Sequence, residues 1–427
     1  MKKIYILLLL FSAVAKAQTW SAAGYGMNNS VLSLVVYNSK LYAGGYFSIA
    51  DSNPASHIAQ WNELSWSTVD TGIGTSGGWI ATLAVYNGEL YIGGIVSNSC
   101  IAKWNDTSWS SVGIGLGGIV YSLAVYNGEL YAGGQFITTN GNSANCIAKW
   151  NGTNWSAVGK GMNGSSYATY VSALAVYNGE IYAGGNFTTA GATSANYIAK
   201  WNGVNWSVVG TGMNSVVRAF AIYNGELYAG GLFTTAGGNS ANYLAKWNGT
   251  SWSAVGSGMN NIVRSLGVYN SELYAGGDFT IVDSNSANHI AKWDGTNWSA
   301  LGTGTDTSVT CLSVYNSDLY VGGAFHSAGG NTANYIAKWN NLPGIKEELR
   351  NEINIYPNPI TDKIYLQQNS KEEIEIILFD ITAKQIIAIK SKNQITKIDA
   401  SNLREGIYFV QIKTTERILA RKIVIQR

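Results

Sequence analysis

The chain has 427 residues, more than one ordinary domain, and only 12% of them are charged, about half the usual share. A formal net charge of +2 gives no basic surface for nucleic acid, and a 46% hydrophobic fraction argues against disorder. With 50 glycines and many Asn, Ser, Thr, Trp and Tyr, the composition suits a turn-rich all-β protein.

The first 17 residues read as a secretory signal peptide. Lys2 and Lys3 precede an apolar run from Ile4 to Ala15, and Ala15-Lys16-Ala17 forms a small-residue cleavage site that leaves Gln18 first. That run is too short to span a bilayer, and no other approaches the ~20 residues required, so the mature protein is expected to have no transmembrane segment.

From Gln18 to Pro343 one unit returns seven times: a Tyr-Asn-Gly-Glu-Leu-Tyr-Ala-Gly-Gly run, an Ile-Ala-Lys-Trp run, and a Trp-Ser-x-x-Gly run. Its opening Tyr falls at Tyr37, Tyr86, Tyr126, Tyr177, Tyr223, Tyr269 and Tyr315. A unit of about 46 residues that cannot bury both its faces must stack on its copies. In the fifth copy the pattern predicts strand a over Val216–Tyr223, a tight Asn224-Gly225 hairpin, and strand b over Glu226–Phe233. A polar loop over Thr234–Asn242, strand c over Tyr243–Trp247 and strand d over Ser251–Val255 complete one propeller blade. The Gly230-Gly231 pair marks a bulge or a close backbone approach.

The seventh unit ends at Trp339-Asn340 without its Trp-Ser-x-x-Gly run, and that run stands at the other end as Trp20-Ser21-Ala22-Ala23-Gly24. The fold expected is therefore a seven-bladed β-propeller over residues 18–343, closed by the N-terminal strand. Spacing varies only in the d–a loops and the b–c loops. Both emerge on one face of an antiparallel blade, so that face is expected to bind.

Candidate ligand-binding residues follow from what breaks the repeat. Trp79 lies in the lengthened d–a loop of the second unit, beside the shortened b–c loop between Val96 and Cys100; Tyr167 and Tyr170 lie in the other lengthened loop. Tyr121, Arg218 and Arg264 begin strand a in their blades, where an anionic group would meet them at the channel mouth. Aromatics on a polar, Gly-rich rim suit a sugar or protein contact. The recurring Glu and Lys, such as Glu226 and Lys246, read as paired surface charge. Cys100, Cys146 and Cys311 read as free packed thiols, and Asp51 and Asp283 as loop Asx turns rather than Ca²⁺ ligands. The sequence presents no catalytic, metal or cofactor constellation. His57, His289 and His326 are read as structural. A Tyr or His beside Arg218 or Asp283 in one deep pocket would favour an enzyme.

The Gly-Gly runs with following Tyr and Trp resemble the kelch and galactose-oxidase group of propellers in architecture; the Tyr-to-Trp spacing of four, Tyr197 to Trp201, is shorter than the kelch pattern. The c–d hairpin Trp293-Asp294-Gly295-Thr296-Asn297-Trp298 resembles the Asp-box turn of sialidases, yet only Arg218 and Arg264 exist in the repeat region to clamp a carboxylate, so it reads as a stabilising turn.

Near Pro343 Gly and Trp thin out and Lys, Glu and Ile take over, placing a linker at 344–352 and a small β-sandwich at 353–427. Tyr356-Pro357-Asn358-Pro359, Leu378-Phe379-Asp380, Gly406-Ile407-Tyr408 and Lys422-Ile423-Val424 resemble the type A C-terminal sorting domain of the type IX secretion system of Bacteroidota. The resemblance implies export through the periplasm and across the outer membrane, with that secretion machinery as partner, then release or surface anchoring. The expected protein is thus a secreted or cell-surface binding protein that engages glycan or protein. The alternatives are a polysaccharide-acting enzyme and a purely structural surface component.

Overall fold

The computed structural model describes residues 19–70, 78–96, 100–139, 141–164, 169–340, 353–357, 359–368, 372–380, 385–413 and 418–426. The expected signal peptide, the linker, Tyr167 and Asn358 lie outside the described residues. The chain divides into two compact units, one spanning Gln18–Asn341 and one carrying the residues from Leu342 onward.

The first unit is all-β among its described residues. Seven antiparallel sheets follow one another, each on a four-strand path a-b-c-d; the third carries an additional two-residue strand. In sheet 5 the strands are Val217–Tyr223, Glu226–Gly231, Leu244–Trp247 and Trp252–Ala254. They are shorter than the sequence pattern predicts, because the neighbouring loops leave the ladder early. The Asn at the start of the a–b turn takes positive φ in each sheet, as at Asn224 (φ 48°), which is the twist a two-residue hairpin needs. At the c–d turn the side-chain oxygen of Asn248 accepts from the amides of Thr250 and Ser251 (both 2.9 Å), and Asp294 does the same in sheet 6, as expected of a stabilising turn.

The seventh sheet draws its strand d from the other end of the chain. Thr19–Ala22 pairs antiparallel with Ile336–Asn340, with Trp20 opposite Trp339. Strand a of each sheet lies beside strand a of the next, and Val309–Tyr315 of sheet 7 lies beside Val31–Tyr37 of sheet 1. The seam repeats the other junctions: Tyr315 donates to Ser39 O (3.0 Å), as Tyr37 does to Gly88 O (3.2 Å), and Trp61 Nε1 reaches Tyr320 Oη at 3.2 Å. Between sheets lie continuous apolar clusters of strand a aliphatics, strand b Tyr and Leu, and the Trp pairs of strands c and d.

The b–c loops, polar in sequence, fold into two-residue hairpins such as Thr235–Ala236 with Asn239–Ser240. The preceding d–a loop bridges to them, Met213 to Ala236 and Met27 to Ala50, so both variable loops meet on one face.

The second unit has a three-stranded sheet (Ile353–Tyr356, Lys363–Gln368, Ile395–Asp399) and a four-stranded one (Gln385–Ser391, Ile374–Asp380, Gly406–Lys413, Ile418–Ile425). Ile364, Leu366 and Ile398 of the first share one core with Ile376, Leu378, Val410 and Ile423 of the second. The alternation of buried and exposed residues along Lys363–Gln368 is what one buried sheet face requires.

Candidate functional site

Each strand a carries a β-bulge at one repeat position. In sheet 1, Val31 faces Gly45 and Ser33 faces Gly44, so Leu32 has no partner. The same slip leaves Ala81, Tyr121, Ser172, Arg218, Arg264 and Thr310 unpaired in the other six sheets. The Gly-Gly pair of strand b makes this possible. A Cβ on Gly45 would collide with Ser30 O, and one on Gly44 would lie 2.6 Å from Ile80 Cγ2 of the next sheet. The second glycine thus admits the bulged backbone and the first admits the neighbouring sheet.

All seven unpaired residues line one cavity of about 520 Å³, within the range of small-molecule sites, together with Tyr46, Trp79, Ser33, Thr82 and Ser122. An aromatic arc runs along one side. Tyr46 and Trp79 have centroids 5.1 Å apart at 32°, Trp79 and Tyr121 6.1 Å at 34°, and Tyr121 and Tyr170 5.6 Å at 66°. The Arg218 guanidinium sits 5.5 Å from the Tyr170 ring centroid. Burial pushes the Tyr121 hydroxyl above its ordinary pKa, and Tyr170 adds to the rise.

The two arginines differ. Arg264 donates to both carboxylate oxygens of Asp278 (2.6 and 2.7 Å), and Ser308 Oγ donates to the same carboxylate at 2.5 Å. Burial alone would raise the Asp278 carboxyl, but the hydrogen bonds from Arg264 and Ser308 outweigh it and hold the pKa below the ordinary value. Arg218 makes no ion pair among the described residues, and its Nε is buried without a hydrogen-bond partner.

Of the residues singled out from sequence, Trp79, Tyr121, Arg218 and Arg264 come together in this cavity, and Tyr170 adjoins it through Tyr121 and Arg218. Trp79 and Tyr170 do not lie in loops: they are the first residues of strands Trp79–Tyr86 and Tyr170–Tyr177, opposite Ile95 and Asn186, because strand a extends past the bulge in these sheets. The notch expected between Val96 and Cys100 falls on residues 97–99, outside those described. Sequence reasoning missed Tyr46 and Asp278. Both stand nine residues after the repeat Tyr, where seven copies hold seven different residues, and that divergence was the available signal.

The other candidates are absorbed by the scaffold. Lys246 pairs with Glu226 at 2.8 Å and Lys200 with Glu180 at 2.7 Å, partly exposed pairs of small value. His57 and His289 share with Tyr197 and Tyr243 the left-handed position that starts strand c (φ 63–70°). The Asp51 carboxylate accepts from the amides of Tyr25, Gly26 and Trp66 (2.6, 3.1 and 2.6 Å), tying a d–a loop to a b–c loop. The three cysteines are free.

In the second unit, Tyr356 stacks on Tyr365 (5.7 Å, 14°) beside Pro357 and Pro359. Gly406 opens a strand in which Tyr408 donates to Arg404 O at 3.0 Å, and Lys422 lies opposite Phe409 in the last strand.

Residues 354–426 match the family of secretion system C-terminal sorting domains. A search of curated proteins with the sequence finds no match. Among solved structures, the chain is similar to the extracellular domain of the putative one component system BT4673 from B. thetaiotaomicron (TM-score 0.51, 14% identity, 96% of this chain and 58% of that one). It is also similar to PorZ, a bacterial surface component of the type IX secretion system of Porphyromonas gingivalis (TM-score 0.41, 13% identity, 95% of this chain and 60% of that one). The chain therefore spans under two thirds of the length of either. The BT4673 likeness is one of fold, a β-rich extracellular domain. No helix among the described residues is long and apolar enough to cross a membrane. The C-terminal sorting domain engages the type IX secretion machinery and directs the protein to the cell surface or beyond.

Proposed function

We propose that the first unit is a closed seven-bladed β-propeller, kelch-like in architecture, and that it binds an extracellular glycan or protein in the cavity where its strands a converge. Seven like sheets in cyclic contact, with the N-terminal strand in the last, support the closed ring. The observation that carries the binding reading is the cavity itself: seven bulge residues meet there, beside an aromatic arc, and one of them, Arg218, has no ion pair among the described residues. An aromatic surface with hydroxyls and one charge orients a polar ligand without requiring chemistry.

The test is a glycan and protein binding screen on the full mature chain, with Trp79→Ala alongside. Binding that disappears in Trp79→Ala supports the reading. Binding that Trp79→Ala leaves intact, or no binding to any ligand, overturns it; the latter, with surface assembly lost on deletion of the gene, favours a structural component.

One observation favours an enzyme acting on polysaccharide as the second reading: Tyr121 lines the cavity with Arg218, and Tyr170 adjoins both. Its weakness is that no described residue lining the cavity is a carboxylate or imidazole, and the Tyr121 hydroxyl is harder to ionise than usual. Release of reducing ends from a polysaccharide by wild type, lost in Tyr121→Phe, would establish it.

A further inference from the structure

The seven repeats are near-copies, so a position at which they disagree is one the scaffold leaves free. The residue before the bulge is Val or Ile in every copy, and the residue after it is always small, Ser, Thr, Ala or Cys. Between them the bulge position holds six residue types in seven copies, from Ala81 to Tyr121 and Arg218. The position nine residues after the Tyr is as free, and it is chemically tied to the bulge: Gln135 accepts from Tyr121 Oη (3.4 Å), and Asp278 binds Arg264. The divergent bulge residues thus line the cavity, with Gln135 and Asp278 of the second position holding two of them.

With Trp79 and Tyr170, which stand two residues before the bulge in their sheets, the surroundings of the cavity are lopsided. Sheets 1 to 4 contribute Tyr46, Trp79, Tyr121 and Tyr170, and sheets 5 and 6 contribute the two arginines. Asp278 neutralises Arg264, whereas Arg218 has no ion pair among the described residues and is half-buried over Tyr170 with its Nε unsatisfied. A ligand that displaces water from that guanidinium must replace the lost hydrogen bonds, and an anion does so most strongly. A neutral sugar would replace them only with weaker bonds to its hydroxyl oxygens. The tilted faces of Tyr46, Trp79 and Tyr121 form a surface for the C–H face of a pyranose.

We infer that the cavity recognises an acidic saccharide, its ring on the Trp79 arc and its anionic group on Arg218. This rests on the binding reading above and deepens it. Carboxylate and sulfate share the required chemistry, and the experiment separates them. Calorimetric titration of the full mature chain uses matched pairs: tetragalacturonate against its methyl ester, and a sulfated galactan oligosaccharide against its desulfated form, with poly-glutamate as an acidic peptide. The expected result is that one acidic saccharide binds at least about tenfold tighter than its neutral partner. Arg218→Gln should remove that preference, Arg218→Lys should keep part of it, and Arg264→Gln should affect it less. The member of the two acidic saccharides that binds identifies the anion. Equal binding of acidic and neutral partners, unchanged in Arg218→Gln but lost in Trp79→Ala, overturns the acidic inference and leaves the cavity reading standing. Binding of poly-glutamate alone overturns the saccharide. Absence of all binding by wild type overturns both readings.

Discussion

The indole Nε1 of Trp20 donates to the carbonyl oxygen of Leu301 at 2.8 Å, joining residues 281 positions apart. Every strand d Trp makes the same bond to the sheet before it: Trp66 to Ala23 (2.9 Å), Trp155 to Val112 (2.9 Å), Trp252 to Val209 (3.0 Å). Trp20 therefore performs for sheet 7 what an internal residue performs elsewhere. It is buried and packs on Trp339 at 5.1 Å. Trp20→Ala should lower unfolding stability by about 3–5 kcal/mol, the cost of emptying a large aromatic site. Denaturant titration reads it; a change within about 0.5 kcal/mol would mean the strand contributes nothing.

Two glycines of sheet 6 should respond oppositely. A Cβ on Gly276 would drive into Val309 of the next sheet, so Gly276→Ala should cost about 1–3 kcal/mol. A Cβ on Gly267 meets Leu312 Cβ at 3.4 Å, an ordinary contact, so Gly267→Ala should be neutral or stabilise by up to about 1 kcal/mol. Thermal midpoints of the two variants check the contrast.

Alkaline pH should unfold the first unit through its strand b tyrosines. Burial pushes Tyr42, Tyr91, Tyr131, Tyr182 and Tyr228 to about 12, and Tyr274 and Tyr320 further up. A raised folded pKa means that their contribution is fully present below the unfolded value of about 10 and is lost as pH rises through the folded values. Phenolate absorbance from these residues should thus appear only as the sheet signal in circular dichroism is lost. Reversible ionisation near pH 10 with intact sheets would refute this.

Asp278 gives the acid counterpart. Its depressed pKa means that its contribution is present above the unfolded value of about 3.9 and is lost as pH falls through the folded one. Asp278→Asn should therefore cost about 1–2 kcal/mol at neutral pH, discounting for partial exposure, and little at the acid end. Urea titrations at several pH values test both.

Thiol reactivity should rank the cysteines. Burial pushes Cys311 to about 12 and Cys146 to about 11, whereas Cys100 is only partly buried and less raised. In the native protein a thiol reagent should label Cys100 first and Cys311 last.

The period, the four strands and the turns were legible because each depends on local residues: Asn-Gly for the hairpins, Gly-Gly for the close approach, Trp for the sheet junctions. The pairing of Thr19–Ala22 with Ile336–Asn340 was legible because one copy lacks the run that the other terminus supplies. The bulge was half visible: Gly230-Gly231 announced it, but the unpaired residue, Arg218, sits on the opposite strand with no signature of its own. At Trp79 and Tyr170 the lengthened spacing reads as loop because it hides where strand a begins. The two-residue hairpins of the b–c loops escaped because Thr, Ser and Asn carry no strand periodicity over so short a pairing.

Amide hydrogen exchange at residues 19–22 tests the closed ring most directly. Their strand sits on Ile336–Asn340, so these amides should exchange as slowly as those of Trp66–Thr68, the corresponding strand of sheet 1. Free exchange at residues 19–22, with Trp66–Thr68 still protected, would contradict the ring.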